Sequence, residues 1–105
     1  MLVAYKLWIG YLAHFDKSFK YGIGAKIDAL FIETMKNLFV ASHTGSERKR
    51  IFLTKASDTF DILKFLMQVV WEIKILDNKK YITISEKLNE IGRMLGGWRK
   101  KTTTP

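Results

Sequence analysis

Glu90-Ile91-Gly92-Arg93-Met94-Leu95-Gly96-Gly97-Trp98-Arg99-Lys100 decides the fold of this chain. Each glycine inside a helix weakens it by roughly 1 kcal/mol relative to alanine, so three in the final turns need a reason. The apolar residues around them keep a strict heptad. Tyr81, Ile84, Leu88, Ile91, Leu95 and Trp98 recur at alternating spacings of three and four, which marks one face of one helix. Gly92 and Gly96 lie one turn apart on an adjacent strip, where a missing side chain lets another backbone or a large side chain come close. The segment predicts a packed helix whose packing motif is Gly92, Gly96, Gly97 and Trp98, followed by a basic end.

Upstream, the short Asp77-Asn78 break sets off this helix, about Asn78 to Arg99, with Asp77 as its N-cap. The block before it, about Ser46 to Leu76, is the longest and would extend on the order of 45 Å. Its seam is Phe52, Ala56, Thr59, Leu63, Leu66, Val70 and Ile73. Ile62, Phe65, Met67, Val69, Trp71 and Leu76 lie off that seam and are also apolar. A helix apolar on so many sides must be covered on several of them. Three neighbours in one chain cannot do that fully, so Phe65, Val69 and Trp71 are candidate contacts with further copies of the chain or with a partner protein.

Ser42 to Ser46 is the clearest loop, and Thr44 with Glu47 has the spacing of a capping box. A second helix spans about Phe19 to Ala41, with Ile27, Leu30, Thr34, Leu38 and Ala41 on one face. A first helix spans about Leu2 to Phe15, with Tyr5, Trp8, Leu12 and Phe15 at heptad spacing. No sustained period-two alternation or hairpin turn suggests a strand. Short connections between long helices predict an all-α, antiparallel up-down four-helix bundle over residues 1–101, with 102–105 as a flexible tail.

The 105 residues suffice for one core, and a hydrophobic content of 48% excludes a disordered chain. The 18 Lys and Arg exceed the 10 Asp and Glu to give a net charge of +8, so anionic partners are expected. Cysteine is absent, which excludes disulfides and thiolate chemistry. Uninterrupted apolar runs fall short of the ~20 residues that span a bilayer. Lys6 interrupts the apolar N-terminus and no small-residue cleavage site follows, so a helix is expected there in place of a signal peptide, in a cytoplasmic protein without membrane contact.

In the bundle, Arg48-Lys49-Arg50 and Arg99-Lys100-Lys101 would converge at one end. Cations at the close of a helix suit its dipole, whereas Arg48 to Arg50 stand at a helix start, where they are disfavoured. That cost points to phosphate binding. Lys17, Lys20, Lys79 and Lys80 would gather at the other end, diluted by Asp16 and Asp77, as a solvated surface. Trp8 and Trp98, on heptad faces, are expected in the core.

Catalytic signals are weak. His14 and His43 have no second imidazole or carboxylate cluster at ligand spacing, so no metal is expected. Gly22-Ile23-Gly24 lacks the third glycine and the preceding strand of a dinucleotide fingerprint, and no Lys-Ser or Lys-Thr follows Gly97 to make a phosphate loop. Asp58 and Asp61 sit beside Lys55 and Lys64 on a solvated face. No cofactor and no enzymatic activity are expected.

The ending from Glu90 to Trp98 resembles the signature of the Avd-type four-helix-bundle proteins, the accessory variability determinants of diversity-generating retroelements. Phe15 to Gly24 also resembles that family's junction between its first two helices, with Asp16 in place of a proline and Lys20 in place of an arginine. The resemblance implies a barrel-like homopentamer of four-helix bundles. It implies binding to the retroelement's reverse transcriptase and to template RNA or other nucleic acid, in support of mutagenic copying into cDNA (mutagenic retrohoming). It implies no catalysis by the protein itself. Two alternatives stand beside it: a four-helix bundle of the kind encoded in 23S ribosomal RNA intervening sequences, and an oligomeric scaffold for an acidic protein surface. The Gly-Gly-Trp ending favours the Avd type.

Overall fold

Four long helices carry the chain in the computed structural model, which describes residues 1–103: α1 (Leu2–Leu12), α2 (Ala25–Ser42), α3 (Ser46–Glu72) and α4 (Asn78–Thr103). No strand occurs among the described residues, as the all-α expectation requires. The described chain measures 47 × 22 × 19 Å, the length of its longest helices. α4 runs through Thr102 and Thr103, where a tail was expected, while Thr104 and Pro105 of that tail lie outside the described residues.

The second helix does not begin at Phe19. A single turn, Lys17–Phe19, leads into a π-helical segment, Lys20–Gly24, that is kinked at Gly22 (φ −101°, ψ −108°). Gly24 is buried where this segment folds back on α1. A Cβ there would stand 2.6 Å from Leu12 Cδ1 and 2.9 Å from the Phe19 carbonyl oxygen.

Helix ends follow local chemistry. The Lys80 backbone N–H donates to Asp77 Oδ1 over 2.8 Å, the expected cap of α4. The capping box at α3 does not form. Gly45 occupies the N-cap, one residue later than Thr44, whose hydroxyl turns back to the Ala41 carbonyl at 3.5 Å. α3 stops at Glu72, short of Leu76, because the chain closes a Schellman turn. Ile75 N–H donates to the Val70 carbonyl (2.9 Å) and Lys74 N–H to that of Trp71 (3.0 Å). Lys74 takes the left-handed position with φ 66°. A lysine there costs about 1 kcal/mol against glycine. Lys74→Gly is therefore expected to raise the melting temperature by a few degrees, and thermal denaturation reads it directly.

The core is one cluster drawn from all four helices. Trp8, Ile27, Phe31, Leu63, Val70 and Ile84 are fully buried within it. Trp8 stacks near-parallel on Phe31 with centroids 6.2 Å apart and meets Phe15 edge-on at 5.5 Å. Tyr5 donates to Asp28 Oδ1 over 2.9 Å and so ties α1 to α2. Burial, and then that carboxylate, raise the Tyr5 phenol above its ordinary value. α2 and α3 share a hydroxyl pair, Thr34 Oγ1 to Thr59 Oγ1 at 2.8 Å, which satisfies the fully buried Thr34.

The α3 seam is rotated from its expected position. Leu53, Ala56, Phe60, Leu63, Met67 and Val70 are buried, while Phe52, Thr59 and Leu66 are half-buried and Ile73 is exposed. Ala56, Leu63 and Val70 belong to both patterns. On α4 the expected face holds: Ile84, Leu88 and Leu95 are buried and Tyr81 and Ile91 half-buried.

Candidate nucleic-acid interface

The end of the molecule that holds the close of α2, the start of α3 and the close of α4 carries the basic runs. Lys49 and Lys101 line one cavity of about 190 Å³ there, together with Leu38, Ala41, Leu53 and Trp98. All six expected phosphate contacts, Arg48, Lys49, Arg50, Arg99, Lys100 and Lys101, have exposed side chains. Arg48 packs over the Phe52 ring at 5.7 Å, and Lys55 lies over the same ring at 4.9 Å. An aromatic ring holding two cations keeps their heads in solvent and near one another. Glu47 is the acid of the first turn of α3, so Arg48 to Arg50 stand against the helix dipole with one carboxylate beside them.

Arg99 faces a second opening, a groove of about 390 Å³ between α3 and α4. Its lining includes Lys64, expected only on a solvated face, and Arg93, which no charge run singled out; its helical spacing from Arg99 was the available signal.

Two expected placements need correction. Trp98 is not a core residue: it is 42% exposed, in the wall of the cavity that Lys49 and Lys101 also line. Gly96 and Gly97 do not let another group come close within the chain, since a Cβ at either would meet nothing within 4 Å. Gly92 is in ordinary contact, 3.5 Å from the Phe60 ring. Trp71, a candidate contact with further copies or a partner, is half-buried and has partners within the chain. It stacks on Tyr81 at 4.5 Å with 7° between the planes, and its indole N–H donates to Asn78 Oδ1 over 2.6 Å. It closes the α3–α4 corner.

Phe65 is 61% exposed and Val69 half-buried. With Ile62 and Ile73, at 49% and 54% exposure, they form an outward stripe along α3 that ends at its C-cap, Ile73. At the opposite end Lys80 lies 4.0 Å from Asp77 Oδ2 and over the Tyr11 ring at 5.6 Å, so part of the second basic set is locally engaged. Burial, and then Asp77, raise the Tyr11 phenol above its ordinary value.

Among the described residues no group of three His, Cys, Asp or Glu could hold a metal. His43 Nδ1 sits 2.9 Å from the Phe39 carbonyl and 2.8 Å from Ser42 Oγ, in a local turn. No helix among the described residues is long and apolar enough to cross a membrane. The arrangement offers positive charge, one exposed indole and an apolar stripe.

No curated protein and no solved structure matches the chain. The sequence model of one family, described as bAvd-like, matches residues 3–102, which takes in all four helices, the basic end and the glycine-tryptophan ending. The chain belongs to the bAvd-like family.

Proposed function

We propose that this protein is a non-enzymatic accessory factor of a diversity-generating retroelement. It holds the reverse transcriptase and the template RNA or its cDNA and supports mutagenic copying. Family membership over residues 3–102 is the observation that carries this reading. The six exposed cations at one end suit phosphate binding without reading bases. Trp98, in the wall of the cavity that Lys49 and Lys101 also line, suits stacking of an unpaired base. The bundle runs up-down-up-down and assembles as a homopentamer, in which the stripe of Ile62, Phe65 and Val69 is covered by another copy or by the polymerase. Its place of action is the cytoplasm.

Affinity purification of the tagged chain from its native host at moderate salt tests the role. A reverse transcriptase recovered together with one discrete RNA is the expected result. Recovery of the chain without either would leave a self-assembling scaffold. The basic end has its own test. Replacing Arg48, Lys49 and Arg50 together by Gln should flatten the log–log salt dependence of single-stranded RNA binding by about 2, at ~0.7 per lost phosphate contact. An unchanged slope would remove Arg48 to Arg50 from the interface.

A further inference from the structure

We propose that the groove between α3 and α4 is a seat for the phosphate–ribose backbone of single-stranded nucleic acid, and that Gly92 and Gly96 keep it open. This rests on the nucleic-acid reading above and assigns it a place. The groove encloses about 390 Å³, enough for a sugar–phosphate unit, and its cations Lys64, Arg93 and Arg99 face one carboxylate, Asp61.

Two observations point to a ligand. The first is the glycine floor. A side chain at Gly96 would project into free space, because nothing lies within 4 Å of its Cβ position. Gly92 would just touch Phe60 at 3.5 Å and Lys64 Nζ at 4.0 Å. Both glycines line the groove, so the absence of side chains at Gly92 and Gly96 leaves its floor bare. The second is Ser57. It is 6% exposed, lines the groove, and its hydroxyl makes no hydrogen bond among the described residues. No protein group among the described residues engages this hydroxyl on an otherwise enclosed side chain, so it is a donor available to a ligand, and a phosphate or ribose oxygen is an acceptor of the right kind.

The geometry also gives the strand a direction. Lys101 lines the cavity beside Trp98, Arg99 lines the mouth of the groove, and Arg93 and Lys64 lie further along it. A strand stacked at Trp98 would lead its backbone along α4 over Gly96 toward Gly92. The neighbouring Gly97 is exposed, faces open space as well, and does not line the groove. It provides an internal control with the same change in helix propensity.

The experiment compares wild type, Gly96→Leu and Gly97→Leu in the assembled protein, by fluorescence anisotropy with a labelled single-stranded oligouridylate and by elution size. Filling the groove with Gly96→Leu is expected to weaken binding about tenfold or more, with Gly97→Leu and the elution size unchanged. Equal affinity of both variants to wild type would overturn the groove and leave RNA binding by the basic end standing. A changed elution size of Gly96→Leu alone would also overturn it, by placing the glycine at a contact between copies. No binding by wild type would overturn both the groove and the RNA-binding reading.

Discussion

Trp8→Ala is expected to remove about 3–5 kcal/mol, the range for deleting a fully buried large aromatic side chain. Trp8 is 0% exposed, and its ring holds Phe15 edge-on and Phe31 in parallel, so α1 and α2 lose their shared anchor together. Domains of this size have about 5–15 kcal/mol in total, so urea denaturation of this variant should show a folded state near its limit. Trp8→Phe behaves differently. The smaller ring forfeits volume worth on the order of 1 kcal/mol. But the Trp8 indole N–H is buried and has no acceptor among the described residues. Leaving such a donor unpaired costs about 1–3 kcal/mol, and phenylalanine does away with it. The two effects offset, so Trp8→Phe is expected within about 1 kcal/mol of wild type. A loss as large as that of Trp8→Ala would show that the N–H is satisfied and that the indole is held by more than packing. Trp8, Phe15 and Phe31 do not line the cavity of Lys49 and Lys101, so RNA affinity of the phenylalanine variant should stay at the wild-type level.

The helices were legible because each has a periodic apolar face, and α4 was the clearest. Apart from Ile82 and Met94, the large apolar residues of α4 lie on one side, so periodicity also fixes its rotation. On α3 both flanks of the central line Ala56, Leu63, Val70 are largely apolar: Phe52, Thr59, Leu66 on one side, Leu53, Phe60, Met67 on the other. A pattern with two such flanks does not say which one meets the core; the neighbouring helices decide it. The cap at Asp77 was readable from its type, whereas that of α3 was displaced by one residue to Gly45. The basic end was legible as charge, and the exposure of Trp98 within it was not, because a heptad position near a helix end can overshoot the core. The partners of Trp71 within the chain were not legible either: Asn78 and Tyr81 lie across a turn, where helical periodicity carries no information. Lys64 and Arg93 joined the candidate site only through the packing of α3 on α4.

Glycines show most plainly what a sequence omits, since it records a missing side chain and not what stands opposite. Gly24→Ala is expected to destabilise the protein by about 1–2 kcal/mol, although alanine is the better helix former by roughly 1 kcal/mol. Backbone angles do not decide this, because Gly24 sits at φ −61° and ψ −45°, which alanine adopts freely. Space decides it. The new methyl would stand 2.6 Å from Leu12 Cδ1, which a rotamer change could relieve. It would also stand 2.9 Å from the Phe19 carbonyl oxygen, which is backbone and can retreat only if the π-helical segment opens. Overpacking of this kind costs about 1–3 kcal/mol and exceeds the propensity gain. Gly97→Ala makes the same chemical change inside α4 with nothing within 4 Å, so only the propensity term remains. It is expected to stabilise by about 0.5–1 kcal/mol. Thermal melts of the two variants should therefore move in opposite directions, with Gly24→Ala lower by roughly 5–15 °C. A Gly24→Ala protein that melts at or above wild type would show that the α1–α2 junction relaxes freely. The fold would then tolerate at Gly24 any small residue, and the kink at Gly22 alone would set the junction.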